Sequence, residues 1–186
     1  EVPDPSALFL AERPRNVPGS AVTATLSGSL PVLLEVQALV AQPAGVPRRT
    51  AIGIDPNRVS MLLAVLERRA GIDALGLDVF VNIAGGLRLE EPAADLAVVA
   101  ALASSAARRP VDPAALCFGE VGLAGEVRAV GQPEARLQEG AKLGFRRAVV
   151  PEATARLLRQ LGRPAAGIEV VSVRDVGAAI DVLLGG

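Results

Sequence analysis

Residues 78–106 carry the sequence DVFVNIAGGLRLEEPAADLAVVAALASSA, in which a strand, a glycine turn and a helix follow one another. Along 79–84, Val79, Val81 and Ile83 form one face of the predicted strand. The other face carries Phe80, Asn82 and Ala84, so both faces are mostly apolar. A strand with two apolar faces is typical of the inside of a sheet, so we expect neighbouring strands on both sides. Gly85 and Gly86 end the predicted strand.

The helix of this stretch opens at Pro92, which fits a first helical turn because its missing N–H donor would have had no partner there. Glu90 and Glu91 precede it, where exposed helical N–H groups favour negative charge. Apolar residues then continue on nearly every side of the helix, with little polar surface. The pattern therefore predicts a helix in the centre of the domain.

Outward from this stretch, hydrophobic periodicity predicts further strands and helices. The predicted strands cover 21–29, 32–40, 50–54, 114–120, 126–130, 147–150 and 168–171. The predicted helices cover 56–70, 133–143, 152–161 and 174–184. The first two strands form a hairpin around Gly28, and the strands 114–120 and 126–130 are expected to pair around a glycine turn. A strand-rich first half and an alternating second half favour a mixed α+β domain.

Two parts of the chain are distinguished by composition. Residues 1–20 are rich in proline and contain an apolar patch at 8–10, which predicts a lead-in segment that docks on the domain. Residues 21–186 read as a single domain, because 186 residues suffice for one substantial core. The chain starts at Glu1 without methionine, which suggests a fragment of a longer protein.

Composition excludes several classes of function. Hydrophobic residues make up 51% of the chain and aromatic residues only 2%, so the core must be aliphatic. The net charge of −1 gives no global attraction to nucleic acid, and binding would need a local patch. The single cysteine, Cys117, rules out an internal disulfide, and the absence of histidine rules out imidazole chemistry. No apolar run reaches membrane-span length and no signal peptide is present, so we expect no membrane partner and a cytoplasmic location.

Several segments resemble one known family. VNIAGGLRLEEPAADLAVVAALASS and FGEVGLAGEVRAVG (118–131) resemble the C-terminal domain of the bacterial RadA (Sms) DNA repair proteins, which has the fold of the Lon protease proteolytic domain. The segments 6–22, 47–69 and 141–151 resemble the same family in the same order. The resemblance implies an α+β, Lon proteolytic-domain-like fold with a mixed sheet and packed helices. It also implies that the zinc finger and the RecA-like ATPase domain of the family are absent from this chain.

The resemblance bears directly on peptidase activity, because a Lon-type peptidase uses a serine nucleophile and a lysine base. By alignment on Pro92, the serine position corresponds to Ala93 and the last glycine of that motif to Asp95. The lysine position falls at Glu134. Both halves of the dyad are missing, so the resemblance implies no catalytic residues. The remaining candidates for a nucleophile or base are expected to be packing or solvated residues: Ser60, Ser104, Ser105 and Lys142.

Other enzyme classes lack their motifs as well. The chain has no G-x-x-x-x-G-K-[ST] phosphate loop, and GGLRLEE lacks the G-x-G-x-x-G spacing. The acids Glu35, Asp55, Asp78 and Asp95 show no metal-ligand spacing. We therefore expect no cofactor in this chain. The ATP, magnesium and zinc that the resemblance implies belong to the absent domains.

Arginines on loops and at helix starts are candidates for contacts with DNA phosphates. The predicted set is Arg48, Arg49, Arg58, Arg88 and Arg128, and the next candidates are Arg108 and Arg109. The alternative interpretation is that they are solvated charges or partners of nearby acids, such as Glu90, Glu91 and Asp55. The four phenylalanines lie in apolar contexts, which argues against a stacking platform for bases.

The resemblance implies partners for the whole protein. It implies a homo-oligomeric ring, most simply a hexamer, with single-stranded or branched DNA through or near its centre and RecA recombinase as a further partner. In that context the chain would be a non-proteolytic, DNA-binding and ring-forming scaffold of a DNA-dependent ATPase that drives branch migration in recombinational repair. Two alternatives remain open: a Lon-like domain of a ComM or magnesium-chelatase-like ATPase, and a pure oligomerisation module without DNA contact.

Overall fold

The computed structural model describes residues 3–162 and 165–185. Within these ranges it contains six α-helices and nine strands. The helices are α1 (Pro5–Leu10), α2 (Pro56–Ala70), α3 (Asp95–Ala107), α4 (Pro133–Lys142), α5 (Glu152–Gln160) and α6 (Val176–Leu184). The strands are β1 (Ser20–Ser27), β2 (Leu30–Ala41), β3 (Arg49–Ile52), β4 (Asp78–Ile83), β5 (Ala115–Cys117), β6 (Glu120–Val121), β7 (Val127–Arg128), β8 (Arg147–Pro151) and β9 (Glu169–Val173).

The first sheet has the strand order β1-β2-β4-β3. β1 and β2 form the predicted antiparallel hairpin, β2 and β4 are also antiparallel, and β3 runs parallel to β4. β4 therefore lies inside the sheet, as predicted. One face of β4 is only partly covered: Phe80 is 37% exposed, and Asn82 donates to Gln37 at 3.2 Å on this outer face.

The helix predicted over 56–70 begins and ends at those residues in the structure because both ends are capped. The Asp55 carboxylate accepts a hydrogen bond from the Asn57 N–H at 2.9 Å, and Pro56 occupies the first turn. Gly71 closes the helix in the left-handed conformation, with φ of 68°. Both signals are local, so the sequence alone sufficed to predict this helix.

The predicted pairing of 114–120 with 126–130 is wrong for most of its length. β5 instead lies in a second, fully parallel sheet of order β5-β8-β9, and only β6 pairs with β7. Gly119 separates the two parts because its N–H donates to the Ala93 carbonyl and its carbonyl accepts from Leu96 N–H. These bonds reach across the chain to the start of α3 and interrupt the continuous strand that the periodicity predicts.

α3 occupies the centre of the larger core, as predicted. Every residue of this helix from Asp95 to Ser104 is buried. It packs against β1 and β2 on one side and against α2 and α6 on the other. A smaller second cluster of buried residues lies between the first sheet and the parallel sheet and includes Leu33, Leu116, Phe118 and Leu137. The fold is thus mixed α/β, with a mixed sheet and packed helices.

The lead-in residues that the structure describes contact the first sheet; residues 1 and 2 lie outside the described ranges. α1 packs against β2. Ser6 accepts a hydrogen bond from the Leu33 N–H at 2.9 Å and donates to Glu139 at 2.6 Å. The Phe9 ring lies against Gly85, whose φ of 87° and close neighbour leave no space for a Cβ. Leu8, by contrast, is 65% exposed.

Candidate functional site

The position that the resemblance assigns to a nucleophilic serine lies inside the protein. Pro92–Ala94 forms one 3-10 turn that leads into α3, and Ala93 is fully buried. The carbonyl of Ala93 accepts a hydrogen bond from the Gly119 N–H at 2.8 Å. Ala93 therefore offers no nucleophilic atom and no surface that a peptide substrate could reach.

An ion pair between a buried arginine and a partly exposed glutamate lies on the N-terminal side of this turn. Arg136, which is fully buried, donates to both carboxylate oxygens of Glu91 and to the Ala24 carbonyl at 2.6 Å. The same carboxylate accepts hydrogen bonds from the Thr25 hydroxyl and the Leu26 N–H, each at 2.9 Å. Glu91 therefore links β1 and α4 to the start of α3 through hydrogen bonds.

The environment of this pair fixes its charge. Burial would raise the pKa of Glu91, but hydrogen bonds from Arg136, the Leu26 N–H and Thr25 outweigh it and hold the pKa below its ordinary value. The Arg136 guanidinium also donates to the Gly131 carbonyl at 2.9 Å and lies 5.7 Å from the centre of the Phe118 ring. Glu91 precedes the helical turn, as predicted, but its carboxylate makes no capping bond and binds Arg136 instead.

A second ion pair lies on the C-terminal side of the turn. Arg58 of α2 donates to both oxygens of Asp95, and the Val121 N–H donates to Asp95 at 3.0 Å. Asp95 is only 2% exposed. Burial raises the pKa of Asp95 despite these hydrogen bonds, whereas the bond to Asp95 raises the pKa of Arg58. The two ion pairs thus enclose the turn that contains Ala93.

The position that the resemblance assigns to the lysine base lies on the same helix as Arg136. Glu134 is half-buried in the first turn of α4. The one lysine of the chain, Lys142, is exposed and pairs with Asp4 at 2.5 Å. Its hydrogen bond to Asp4 raises the pKa of Lys142, which is the wrong direction for a base that must be neutral.

The predicted DNA-contacting arginines lie at two opposite ends of the first sheet. Arg49 pairs in register with Val79 at the start of β4, whereas Arg88 follows the end of β4. Six strand residues separate these ends by roughly 17 Å. Arg58 and Arg128 lie at the second end, because Asp95 at the start of α3 binds both Arg58 and the N–H of Val121 in β6.

The five predicted arginines differ in what their side chains already bind. Arg49 donates to the carbonyls of Leu77 at 3.0 Å and Leu75 at 2.7 Å. Arg58 already donates to both carboxylate oxygens of the buried Asp95. Arg48 and Arg88 are exposed, and neither side chain forms an ion pair with any residue that the structure describes.

The remaining arginine candidates are also exposed. Arg128 faces Glu126 at 3.5 Å, and the side chains of the two residues are 65% and 37% exposed. Arg108 closes α3 in the left-handed conformation, with φ of 54°. Arg109 donates to the Gly185 carbonyl at 2.8 Å.

The polar residues weighed as nucleophiles and ligands have structural partners. Ser104 accepts a hydrogen bond from the Gly19 N–H, and Ser105 accepts one from the Val40 N–H, so both tie α3 to the first sheet. Asp78 accepts the Arg48 N–H at 2.7 Å. Burial raises the pKa of the Cys117 thiol to about 12. Within the described ranges, no three Cys, Asp or Glu side chains are grouped as metal ligands would be.

Local sequence patterns did not reveal the central role of Glu91, Asp95 and Arg136. A signal was present, because Glu91 and Asp95 flank the apolar opening of a helix that is otherwise buried. An acid at such a position needs a buried cation, since an unpaired buried charge is costly. The sequence contains eighteen arginines, and no local pattern singles out Arg136 as the partner.

Comparison with known proteins defines the chain's relationships. No family model matches it, and no helix in the described ranges is long and apolar enough to cross a bilayer. It is 48% identical over 187 residues to the DNA repair protein RadA of Bacillus subtilis. It is 47% identical to the RadA proteins of Pseudomonas aeruginosa and Aquifex aeolicus, over 184 and 185 residues.

These matches cover 98–100% of the chain but only 40% of each relative's length. The alignments thus include nearly the whole of this chain but less than half of each relative. Identity of this extent cannot arise from shared composition, because the matched segment spans every sheet and all six α-helices of the described ranges. Over nearly its full length the chain therefore matches one part of the DNA repair protein RadA.

Proposed function

We propose that the chain is a non-proteolytic, Lon-like domain that contacts DNA phosphates and forms a ring-shaped scaffold in recombinational repair and branch migration. The similarity to the DNA repair protein RadA over the whole chain supports the repair context. The buried Ala93 and the exposed, ion-paired Lys142 argue against peptidase chemistry. The ATPase motor, the zinc finger and their ATP, magnesium and zinc belong, in this proposal, to the parts of the relatives that the chain does not span.

Exposed arginines without a carboxylate partner carry the proposal of DNA contact. Arg48 and Arg88 meet this description within the described ranges, and an arginine fork matches the geometry of a phosphate. Arg128 joins them because an exposed pair such as that with Glu126 contributes only about 0–1 kcal/mol and yields readily to a phosphate. Arg49 and Arg58 support these contacts indirectly, each at one end of the first sheet, by holding the 75–77 loop and the start of α3.

The ring explains how so few contacts per chain suffice. A head-to-tail ring repeats each arginine in every subunit, and it needs two different surfaces that meet. Six copies would present six Arg48 and six Arg88 side chains to one DNA molecule, which converts weak contacts into useful affinity. Association with RecA recombinase and a cytoplasmic location belong to the same proposal.

Salt-dependent DNA binding tests this proposal. Each bound phosphate releases counterions, so the affinity for single-stranded DNA should fall steeply with salt and depend little on sequence. An Arg48→Gln/Arg88→Gln variant should weaken binding and flatten the salt dependence by about one unit for each phosphate that is no longer bound. Arg68→Gln/Arg156→Gln, which removes two exposed arginines of α2 and α5, is the matched control. Equal affinity of parent and Arg48→Gln/Arg88→Gln at every salt concentration would contradict the proposal.

One observation favours a second candidate, a pure oligomerisation module. The outer face of the first sheet exposes Leu39 (59%), Ile52 (60%) and Phe80 (37%), and Leu39 is paired in register with Phe80. Such an apolar face is suited to another protein surface. Measurement of DNA affinity against salt separates the candidates, because a pure module would form the ring in sedimentation but show no salt-dependent affinity for DNA. The similarity to RadA over the whole chain favours the RadA interpretation over the ComM or magnesium-chelatase-like alternative.

A further inference from the structure

A basic pocket lies between the segment that follows α1 and the loops that precede β5 and β8. Its volume is about 310 Å³, and its lining contains three arginines, Arg13, Arg15 and Arg146. Pro113, Gly144 and Phe145 form most of the remaining wall, and the lining contains no carboxylate. Three arginines therefore line one cavity whose wall contains no acid, and Glu35 acts on Arg13 from outside this lining.

Arg13 is held in place as part of the pocket wall. Its guanidinium lies 5.1 Å from the centre of the Phe145 ring and donates to the Pro113 carbonyl at 3.1 Å. Burial and the charge of Arg15 both lower the pKa of Arg13, while Glu35 acts in the opposite direction. The pocket therefore has a positive potential that a bound anion would relieve.

Arg146 and Arg147 are neighbours with opposite roles. Arg147 pairs with Asp112 at 2.9 Å and with Glu169 at 3.6 Å. Arg146 is exposed and forms no ion pair with a described residue, although its N–H donates to the Ala114 carbonyl at 2.9 Å. Asp112, which precedes Pro113, also accepts the Ala114 N–H and is already engaged, whereas Glu12, which precedes Arg13, is exposed.

We propose that this pocket binds a phosphate group through the guanidinium groups of Arg13, Arg15 and Arg146. Arginine forks donate paired hydrogen bonds to phosphate oxygens, and such charge-assisted bonds are stronger than neutral ones. The volume lies at the small end of the range for ligand pockets, which suits one phosphate with part of its substituent.

The phosphate source that fits best is the backbone of a single DNA strand. The pocket lies at the end of the domain where α3 ends, because the Gly19 N–H next to β1 donates to Ser104. Arg48 and Arg108 lie at the same end, so a strand seated in the pocket would pass further exposed arginines. This choice of source rests on the proposed function, whereas the capture of a phosphate does not.

Binding of inorganic phosphate and of a short single-stranded oligodeoxythymidine tests the proposal. The variant is Arg15→Gln/Arg146→Gln, which spares the anchored Arg13, and the matched control is Arg68→Gln/Arg156→Gln. Circular dichroism confirms that each variant folds. Calorimetry should show phosphate binding to the parent and the control, and affinity at least about tenfold weaker in the pocket variant, since hydrogen bonds to charged groups are removed.

Each outcome decides one point. If the pocket variant loses affinity for both phosphate and the oligonucleotide, the site holds a DNA phosphate. If it loses affinity for phosphate alone, the pocket serves a free phosphate compound and the DNA source is wrong. If the parent binds neither probe more tightly than the pocket variant does, the proposal is overturned. The Arg48→Gln/Arg88→Gln variant tests the proposed function separately, because it leaves the pocket intact.

Discussion

Arg136 is fully buried and donates to both carboxylate oxygens of Glu91, a residue 45 positions earlier in the chain. This pair joins α4 to the turn that precedes α3. It lies beside the positions where the family resemblance places a serine nucleophile and a lysine base. A structural ion pair with a buried arginine thus adjoins the place where a peptidase would keep an accessible dyad.

Replacement of Glu91 by alanine should strongly destabilise the domain. The change leaves the Arg136 charge buried and unpaired, which costs about 3–5 kcal/mol of unfolding free energy. Chemical denaturation measures this loss. Glu90→Ala, at the neighbouring exposed position, is the control and should stay within about 0.5 kcal/mol of the parent. Equal stability of the two variants would show that Arg136 finds other partners.

Acid should weaken the same pair. The pKa of Glu91 lies below its ordinary value of 4.5 in the folded chain, so its contribution is complete above that value and is lost as the pH falls through the folded pKa. Glu91→Gln removes this titration. The parent should therefore lose more stability than Glu91→Gln between about pH 5 and pH 2. Parallel stability curves for the two proteins would contradict the assignment.

Replacement of Arg58 by alanine should produce the opposite pH dependence. At pH 7 it leaves Asp95 buried without its cation, at a cost of about 3 kcal/mol. The unfolded carboxyl titrates near 3.8, whereas the folded, unpaired carboxyl binds a proton at higher pH. Folding then takes up a proton, so the deficit relative to the parent should shrink as the pH falls toward 4. A deficit independent of pH would mean that Asp95 is not its origin.

Gly85 and Phe9 should be energetically coupled, which tests whether the lead-in segment docks as in the structure. Gly85→Ala adds a strained positive φ, worth about 1–2 kcal/mol, and a methyl group that overlaps the Phe9 ring. In a Phe9→Ala background only the strain remains. A double-mutant cycle on unfolding free energies should therefore give a non-zero coupling energy. Additive effects would indicate that α1 is not held against Gly85 in solution.

Restoration of the missing dyad should not create a peptidase. Ala93→Ser/Glu134→Lys supplies both functional groups, but the serine would lie at a fully buried position between two ion pairs. The purified variant should leave casein intact. Casein incubated with an active serine protease is the positive control. Cleavage that persists after repurification would show that the turn opens to substrate.

Local signals account for the parts of the fold that the sequence predicted well. The hairpin around Gly28, the capped helix Pro56–Ala70 and the internal strand β4 each depend on periodicity and on turn or cap residues. The assignment of β5 depends instead on hydrogen bonds between Gly119 and the start of α3. No window of sequence contains both partners, so the pattern joined β5 to the wrong strand.

The arginines show the same limit at the candidate site. Loop position predicted exposed side chains correctly for Arg48 and Arg88. It could not show that Arg58 lies against Asp95, 37 positions away, or that Arg13 and Arg146 line one cavity. Ion pairs and pockets depend on tertiary contacts, which periodicity does not encode.

The hairpin of β1 and β2 forms a wall between two cores. In β1, Ala21 faces the larger cluster and Val22 the smaller one, and in β2 the neighbours Leu34 and Leu33 divide in the same way. Loss of this hairpin would expose both hydrophobic cores to water. The two cores therefore cannot unfold independently of each other. The most protected amides in hydrogen exchange should therefore belong to this hairpin, and they should open only when the whole domain unfolds.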